Sequence, residues 1–467
     1  VSAPQHPPFK HGSFIHRIQG ILLNHRYGLK MAIFLGAAIA TGAACVLFMW
    51  SFEFVIDHPL DQMHAGHWSW VATPLLFILS VWVIRNFGPL AAGAGIPQTI
   101  FAAKHLNASN RKALGGLVSI RTMLVKIVAL LLAVWGGAST GREGPSVHIA
   151  ACLFVSIVWY AHNFFKIPFD LKSAVIGGGA AGLAAAFNAP LAGVTFAIEE
   201  LCSDMFMPIK DIVLMSIIIA GITAKSMTGE YTYFGRVSGS ADIPILTVVM
   251  IGVAAGAAGA VFSHLIIRGR RIIVAKFSRW TYAAAAFLGL TLLGLSALAT
   301  YGHLPSVLGP GNYAAQMYLR GDGEGSGLLF FAAKSAATLL TYWSGIAGGI
   351  FAPSLSMGSA IGSWLGWVTN GPVAVSALVG MAAFLAGTIQ APITAFVIVY
   401  EMTGHHQTLL PVMLAAAIGF MTARVLGAKH LYQTLSDNYS DLLPRSDAPV
   451  QTSAPSANAS PGTPNPS

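Results

Sequence analysis

Long apolar runs interrupted by short polar ones set the pattern of this chain. Met31 to Phe52, Ser173 to Ile198 and Ile243 to Ile267 pass without an Asp, Glu, Lys or Arg, as does the whole block from Ser335 to Tyr400. A helix of roughly 20 apolar residues crosses a bilayer, so these runs predict membrane-spanning helices. Spans are expected at about 31–52, 68–84 and 409–427, with a return over 122–135 and a long span after 243. Between them lie basic stretches: Lys104, Arg111, Lys112 and Arg121 in one, Arg268, Arg270, Arg271, Lys276 and Arg279 in another. Basic loops stay in the cytoplasm. Residues 10–28, with Lys10, Arg17 and Arg26, read as an amphipathic surface helix on that side, without the long apolar run of a signal peptide. Both termini are expected in the cytoplasm. Residues 225–243 and 302–326 read as loops, and 445–467, rich in Pro, Ser and Ala, as a disordered tail.

Composition sharpens the class. Of 467 residues, 55% are hydrophobic and 9% charged, against about 25% charged in soluble domains. The chain is predicted to be an all-α polytopic membrane protein whose surroundings are the lipid bilayer. Its net charge of +9 belongs to the short loops and is no sign of a nucleic-acid partner. Cys45, Cys152 and Cys202 lie in apolar segments and read as small buried hydrophobes. The loop from Asp57 to His67 is rich in Asp and His but reads as a solvated outer loop, so no metal is expected.

The richest chemistry lies in Gly136-Gly-Ala-Ser-Thr-Gly-Arg-Glu-Gly-Pro145, where Arg142 and Glu143 sit among glycines inside an apolar region. Pro145 is placed as the first residue of a helix running to about Trp159. A helix start with uncovered N–H groups attracts anions. Glu143 is an anion tethered at that spot, able to fill an anion site when ionised and leave it when protonated. That would link anion movement to proton movement. The plainer alternative is a glutamate that caps a helix; inside a membrane, an ionisable residue favours function.

The sequence also matches itself. A shift of 208 lays Gly137, Gly141, Pro145 and Ser146 on Gly345, Gly349, Pro353 and Ser354. A shift of 202 lays Gly178, Ala189, Pro190 and Glu199 on Gly380, Ala391, Pro392 and Glu401. Apolar segments broken by Gly and Pro at matching places in two halves point to a transporter binding site. Chance similarity between Gly-rich helices is the competing explanation. Glu143 falls on Phe351, so one half offers an ionisable group where the other offers an apolar one. The organisation expected is a cytoplasmic segment over 1–28, membrane repeats over 29–225 and 243–440, a linking loop over 226–242, and a tail over 441–467.

Four stretches together resemble the CLC family of chloride channels and chloride/proton antiporters. They are Gly93-Ala94-Gly95-Ile96-Pro97, Gly141-Arg142-Glu143-Gly144-Pro145, Gly349-Ile350-Phe351-Ala352-Pro353, and Tyr432 in Lys429-His430-Leu431-Tyr432. The resemblance spans about residues 30–435. It implies two inverted repeats of unequal, partly broken helices, and a homodimer with one pore per subunit. It implies a filter made by the first three stretches, with the N–H groups of Ile350 and Phe351 and the Tyr432 hydroxyl holding a central anion near Ala94. Glu143 would be the gating and outer proton-transfer glutamate, and Glu200 the inner one. Chloride and protons would be the cargo, with no cofactor. No long regulatory domain follows the membrane part, which points to the inner membrane of a bacterium.

Two departures from the family pattern matter. Ala94 stands where a serine is usual, so a side-chain donor to the anion is missing; nitrate or fluoride selectivity becomes an alternative. Gln98, Thr99 and Ile100 stand where strongly coupled relatives often carry carboxylates. Lys126 matches a basic residue near the inner proton route, so it is expected either to pair with Glu200 or to snorkel to the cytoplasmic surface. Arg142 is expected to brace the filter backbone, and Glu401 to close the second repeat. Tyr432 without the filter would be an interfacial anchor. A passive anion channel competes with the antiporter, and Glu200 favours the antiporter. No His-Glu-x-x-His site or nucleophile–base arrangement is present, so an enzyme is not expected.

Overall fold

The computed structural model describes residues 25–57, 68–202, 206–229, 233–235, 242–277, 281–323, 325–404 and 406–443. The predicted surface helix before residue 25, the loop of Asp and His after Asp57, and the tail from 444 lie outside these residues. The first half comprises α1 (His25–Asp57), α2 (Ser69–Phe87), α3 (Ile96–His105), the short α4 (Arg111–Leu114), α5 (Ile120–Trp135), α6 (Glu143–Phe165), α7 (Leu171–Phe187), α8 (Pro190–Phe196) and α9 (Phe206–Thr228). The second half comprises α10 (Ile245–Phe277), α11 (Thr281–Tyr301), α12 (Asn312–Arg320), α13 (Gly327–Trp343), α14 (Phe351–Val368), α15 (Val373–Ile389), α16 (Pro392–Thr403) and α17 (Leu409–Val425), followed by α18 (Leu431–Ser436).

Among the described residues, six helices are long and apolar enough to cross a membrane: α1, α2, α6, α9, α10 and α11. Shorter apolar helices, α7, α15, α16 and α17, fill the space between them. A 17-residue helix such as α7 reaches only about 26 Å at 1.5 Å per residue. Helices α7 and α15 are tolerated because protein rather than lipid surrounds them. Apart from Lys172, the whole of α7 is buried, and all of α15 but Val373. A helix apolar on every face belongs in the interior. The three cysteines are buried free thiols.

The halves repeat element by element. Helices α1 and α10 are both 33 residues long. The starts of α6 and α14, Glu143 and Phe351, are related by the shift of 208, and those of α8 and α16, Pro190 and Pro392, by the shift of 202. Packing repeats as well. A Cβ on Gly178 would lie 3.1 Å from the Ala150 carbonyl, and one on Gly380 would collide with that of Gly358. Small residues at both crossings let the backbones touch.

The repeats are inverted, and backbone bonds between matching residues record it. Gly141 N–H donates to Gly349 O (2.8 Å) while Gly349 N–H donates to Gly141 O (3.0 Å), an antiparallel bridge. Matching residues that bond reciprocally lie across a two-fold axis. The helix caps repeat the relation. Glu401 at the end of α16 accepts from Leu191 N (3.1 Å) and Ala192 N (2.7 Å) at the start of α8. Glu199, just past α8, accepts from Ile393 N (3.0 Å) and Thr394 N (2.6 Å) at the start of α16. Each carboxylate satisfies orphan N–H groups of the other half and meets the positive end of its dipole.

Several expected boundaries shift. The helix at Pro145 starts at Glu143 and runs to Phe165, because proline's missing N–H costs nothing anywhere in the first turn. The 302–326 loop contains α12, which buries Ala314, Ala315, Tyr318 and Leu319. Helix α8 is α-helical only to Phe196, and Ala197–Leu201 form a π-turn.

Candidate functional site

Three helix starts meet near the two-fold axis. Gly93-Ala94-Gly95 leads into α3, Gly141-Arg142 into α6 and Gly349-Ile350 into α14, and none of the three helices has a side-chain cap at its start. Backbone bonds stitch the segments together. Besides the Gly141–Gly349 pair, Gly93 N–H donates to Ile346 O (3.1 Å) and Gly348 N–H to Gly93 O (3.3 Å). Thr140 Oγ1 donates to Gly349 O at 2.8 Å. The positive ends of these helices therefore converge uncapped, with the Glu143 carboxylate beside them. Two glycines make the approach possible. Gly95 has φ +94° and would put a Cβ 2.7 Å from His148 Cβ. A Cβ on Gly141 would occupy the space of the Glu143 carboxylate, which lies against its Cα.

Glu143 is the first residue of α6 and fully buried. Its Oε1 accepts from the Tyr233 hydroxyl at 2.6 Å; its Oε2 has no hydrogen-bond partner among the described residues. Phe351, the first residue of α14, stacks on Tyr432 with ring centroids 5.7 Å apart and planes 19° apart. Phe187 and Phe196 meet Phe351 edge-on, at 6.1 and 6.5 Å. The Tyr432 hydroxyl is buried and has no partner among the described residues. Glu200, in the π-turn after α8, is 1% exposed, and neither of its oxygens has a hydrogen-bond partner among the described residues. Buried polar groups left unpaired cost free energy. Glu143 and Glu200 both act electrostatically on the Tyr432 hydroxyl, and these unpaired buried oxygens call for mobile partners that complete them.

Ala94 is 2% exposed and lines a cavity of about 410 Å³ together with Gly93, Pro97, Gln98, Tyr342, Thr434 and the exposed Arg271. Gln98 is a clamp: its amide donates to Leu90 O (3.1 Å) and Ala92 O (2.6 Å) and so fixes the chain entering the Ala94 turn.

One expected pairing does not form, and one side chain has a further partner. Lys126 is fully buried, so it does not snorkel, and its ammonium donates to Gly93 O at 2.9 Å. The oxygens of Glu200 stay without a hydrogen-bond partner, so the expected Lys126–Glu200 pair does not form. A carbonyl on the neighbouring turn meets the ammonium without a second buried charge. Arg142, expected on the filter backbone, sends Nη1 outward to Glu53 on α1 at 2.7 Å and lays its guanidinium over the Tyr233 ring, 5.2 Å from the centroid.

Four residues escaped the sequence reading. Lys334 was within reach: the shift of 208 carries Lys126 onto it. It too is buried and donates to turn carbonyls, those of Val307 (2.8 Å) and Gly309 (2.7 Å). The pairing of Glu199 with the opposite half follows from the 202 shift once the inversion is known. Glu53 and Tyr233 carried no signal, since only the fold brings them to Glu143 and Arg142.

Known proteins bear directly on this arrangement. A Klebsiella pneumoniae protein named H(+)/Cl(-) exchange transporter ClcA is 30% identical over 433 residues, covering 86% of this chain and 88% of that protein. Its Cronobacter sakazakii namesake is 29% identical over 428 residues, covering 85% and 87%. Among solved structures, a slow cyanobacterial Cl⁻/H⁺ antiporter superposes with a TM-score of 0.75 at 23% identity, covering 87% of this chain and 97% of that one. A CLC-type fluoride/proton antiporter superposes at 0.68 and 20% identity, covering 85% and 96%. Both structures share the fold. The sequence model described as voltage gated chloride channel matches residues 76–424, well over half of the chain, and with the inverted, broken-helix architecture around the converging helix starts it places the chain in the voltage-gated chloride channel (CLC) family.

Proposed function

We propose that the protein is a secondary active antiporter exchanging chloride for protons across a bacterial inner membrane, with both termini cytoplasmic. The observation that carries this reading is the pair of buried carboxyls, Glu143 and Glu200, with oxygens unpaired among the described residues and both acting electrostatically on Tyr432. Ionised Glu143 lies at converging helix starts, where an anion is favoured. On protonation it loses that attraction and yields the place to chloride. The bound ion then draws on the N–H groups of Ile350 and Phe351 and on the unpaired Tyr432 hydroxyl. Glu200 passes the proton to the inner side, which sets the proton route apart from the anion route through the Ala94 cavity. Names of the exchange transporters above support this reading at the level of the whole protein.

Two copies, each with its own pore, form the working unit in this proposal. Exposed apolar side chains on the neighbouring helices α8, α9 and α16, among them Leu191, Ile222 and Ile393, offer a face for it. The deciding experiment is a reversal-potential measurement on purified protein in a planar bilayer, with chloride and pH gradients opposed. An exchanger reverses at a potential set by both gradients. Reversal at the chloride equilibrium potential, whatever the pH gradient, identifies a passive channel.

A further inference from the structure

Glu143 takes a hydrogen bond from outside the helices that form the site. Tyr233 belongs to the segment between α9 and α10, yet it is only 6% exposed. Its neighbour Phe234 is fastened to the end of α16 by a bond from its N–H to Met402 O (3.5 Å). The Tyr233 ring stands edge-on to Phe187 at 5.8 Å, and the Arg142 guanidinium covers one face. Glu53 holds that guanidinium through Nη1 at 2.7 Å. The ring is thus clamped between the aromatic cluster and an ion pair, and its hydroxyl is delivered to Glu143 Oε1 at 2.6 Å. That length is typical of an O–H donating to a carboxylate.

We propose that Tyr233 is a positioning residue that latches the Glu143 side chain in its inward, site-filling pose. The inference rests on Glu143 being the gate. The hydroxyl donates more strongly to a carboxylate than to a neutral acid, so it favours the ionised, closed state over the protonated, open one. Protonation weakens the latch just as the side chain must leave. The ionisable groups around Glu143 among the described residues are Tyr233, Arg142 with its partner Glu53 on α1, and Tyr432 on α18. Of these, Tyr233 is the one whose hydrogen bond to the carboxylate the structure records.

The test is chloride flux from liposomes as a function of pH, with coupling measured alongside. Tyr233→Phe keeps the ring and removes the donor. The ionised state loses stabilisation, so half-opening is reached at higher pH. The midpoint of the flux curve should rise by about one to two pH units, with the chloride-to-proton ratio unchanged because Glu143 is still present. A fluorinated tyrosine at 233, whose more acidic hydroxyl donates more strongly, should move the midpoint the other way without altering packing. In a Glu143→Gln background, Tyr233→Phe should change nothing. Superimposable pH curves for all three forms of residue 233 would overturn the latch. If Glu143→Gln itself kept its pH dependence and coupling, the fault would lie in the gate assignment.

Discussion

The absent hydroxyl at residue 94 has a consequence that can be worked out in numbers. Ala94 lines the 410 Å³ cavity at the turn into α3, where Gly93 is held by Lys126 and the preceding chain by Gln98. The backbone there is fixed, so Ala94→Ser adds one donor without reshaping the turn. A hydrogen bond to a charged group contributes about 1.5–3 kcal/mol, which corresponds to roughly ten- to a hundredfold tighter chloride binding. Small, strongly hydrated anions lose most when a donor is missing, so the native chain should discriminate poorly between chloride and nitrate or thiocyanate. The serine variant should prefer chloride. Ala94→Gly is the control: it also changes the methyl group but supplies no donor, so it should bind no more tightly than the native chain. Calorimetry of chloride binding and flux ratios for the three anions measure both effects. Equal affinity and equal anion ranking in the native and serine forms would refute the argument and leave selectivity to the backbone amides and Tyr432.

Three further outcomes are expected. Glu143→Gln imitates the protonated acid and cannot release a proton, so proton pumping driven by chloride should vanish and anion flux become nearly independent of pH; uphill proton movement in that variant would remove Glu143 from the mechanism. Glu200→Gln should abolish proton coupling while chloride still passes, as read from paired chloride-electrode and pH-electrode traces in liposomes; coupling at the native ratio would take Glu200 off the proton route. The reciprocal caps predict symmetry in stability: Glu199→Gln and Glu401→Gln each weaken a carboxylate bound to two helix-start N–H groups and should each cost about 1–2 kcal/mol, seen as similar drops in thermal unfolding temperature in detergent. A large loss from one and none from the other would show that the two caps are not equivalent.

Much of this fold was legible in the sequence because membrane helices announce themselves by length and lack of charge. The repeat was legible because Gly and Pro are required at backbone positions that recur in both halves, such as Gly141 and Gly349. The inversion came only from the family resemblance, since a shift relates residues along the chain and says nothing of direction in space. The motif residues around Glu143, Phe351 and Tyr432 do come together. What failed was pairing. Lys126 was expected to seek a carboxylate, but a turn carbonyl lies nearer and needs no second charge to be desolvated. Helix α12 was missed because Gly309 and Gly311 read as loop, although the same pairing of glycines at positive φ, Gly93 and Gly95, precedes α3. Tyr233 was missed because nothing local marks a loop tyrosine that reaches a distant carboxylate.

The Gly141–Gly349 bridge limits how this molecule can move. Transporters built from inverted repeats commonly rock one half against the other around a fixed site. Here the two halves are bonded to each other at the site itself, through Gly141 and Gly349, and again through the crossed glutamate caps. Rocking would shear all of these bonds at once. In the proposed exchanger the moving parts would then be small, a carboxylate and an aromatic ring carried on a scaffold that keeps still.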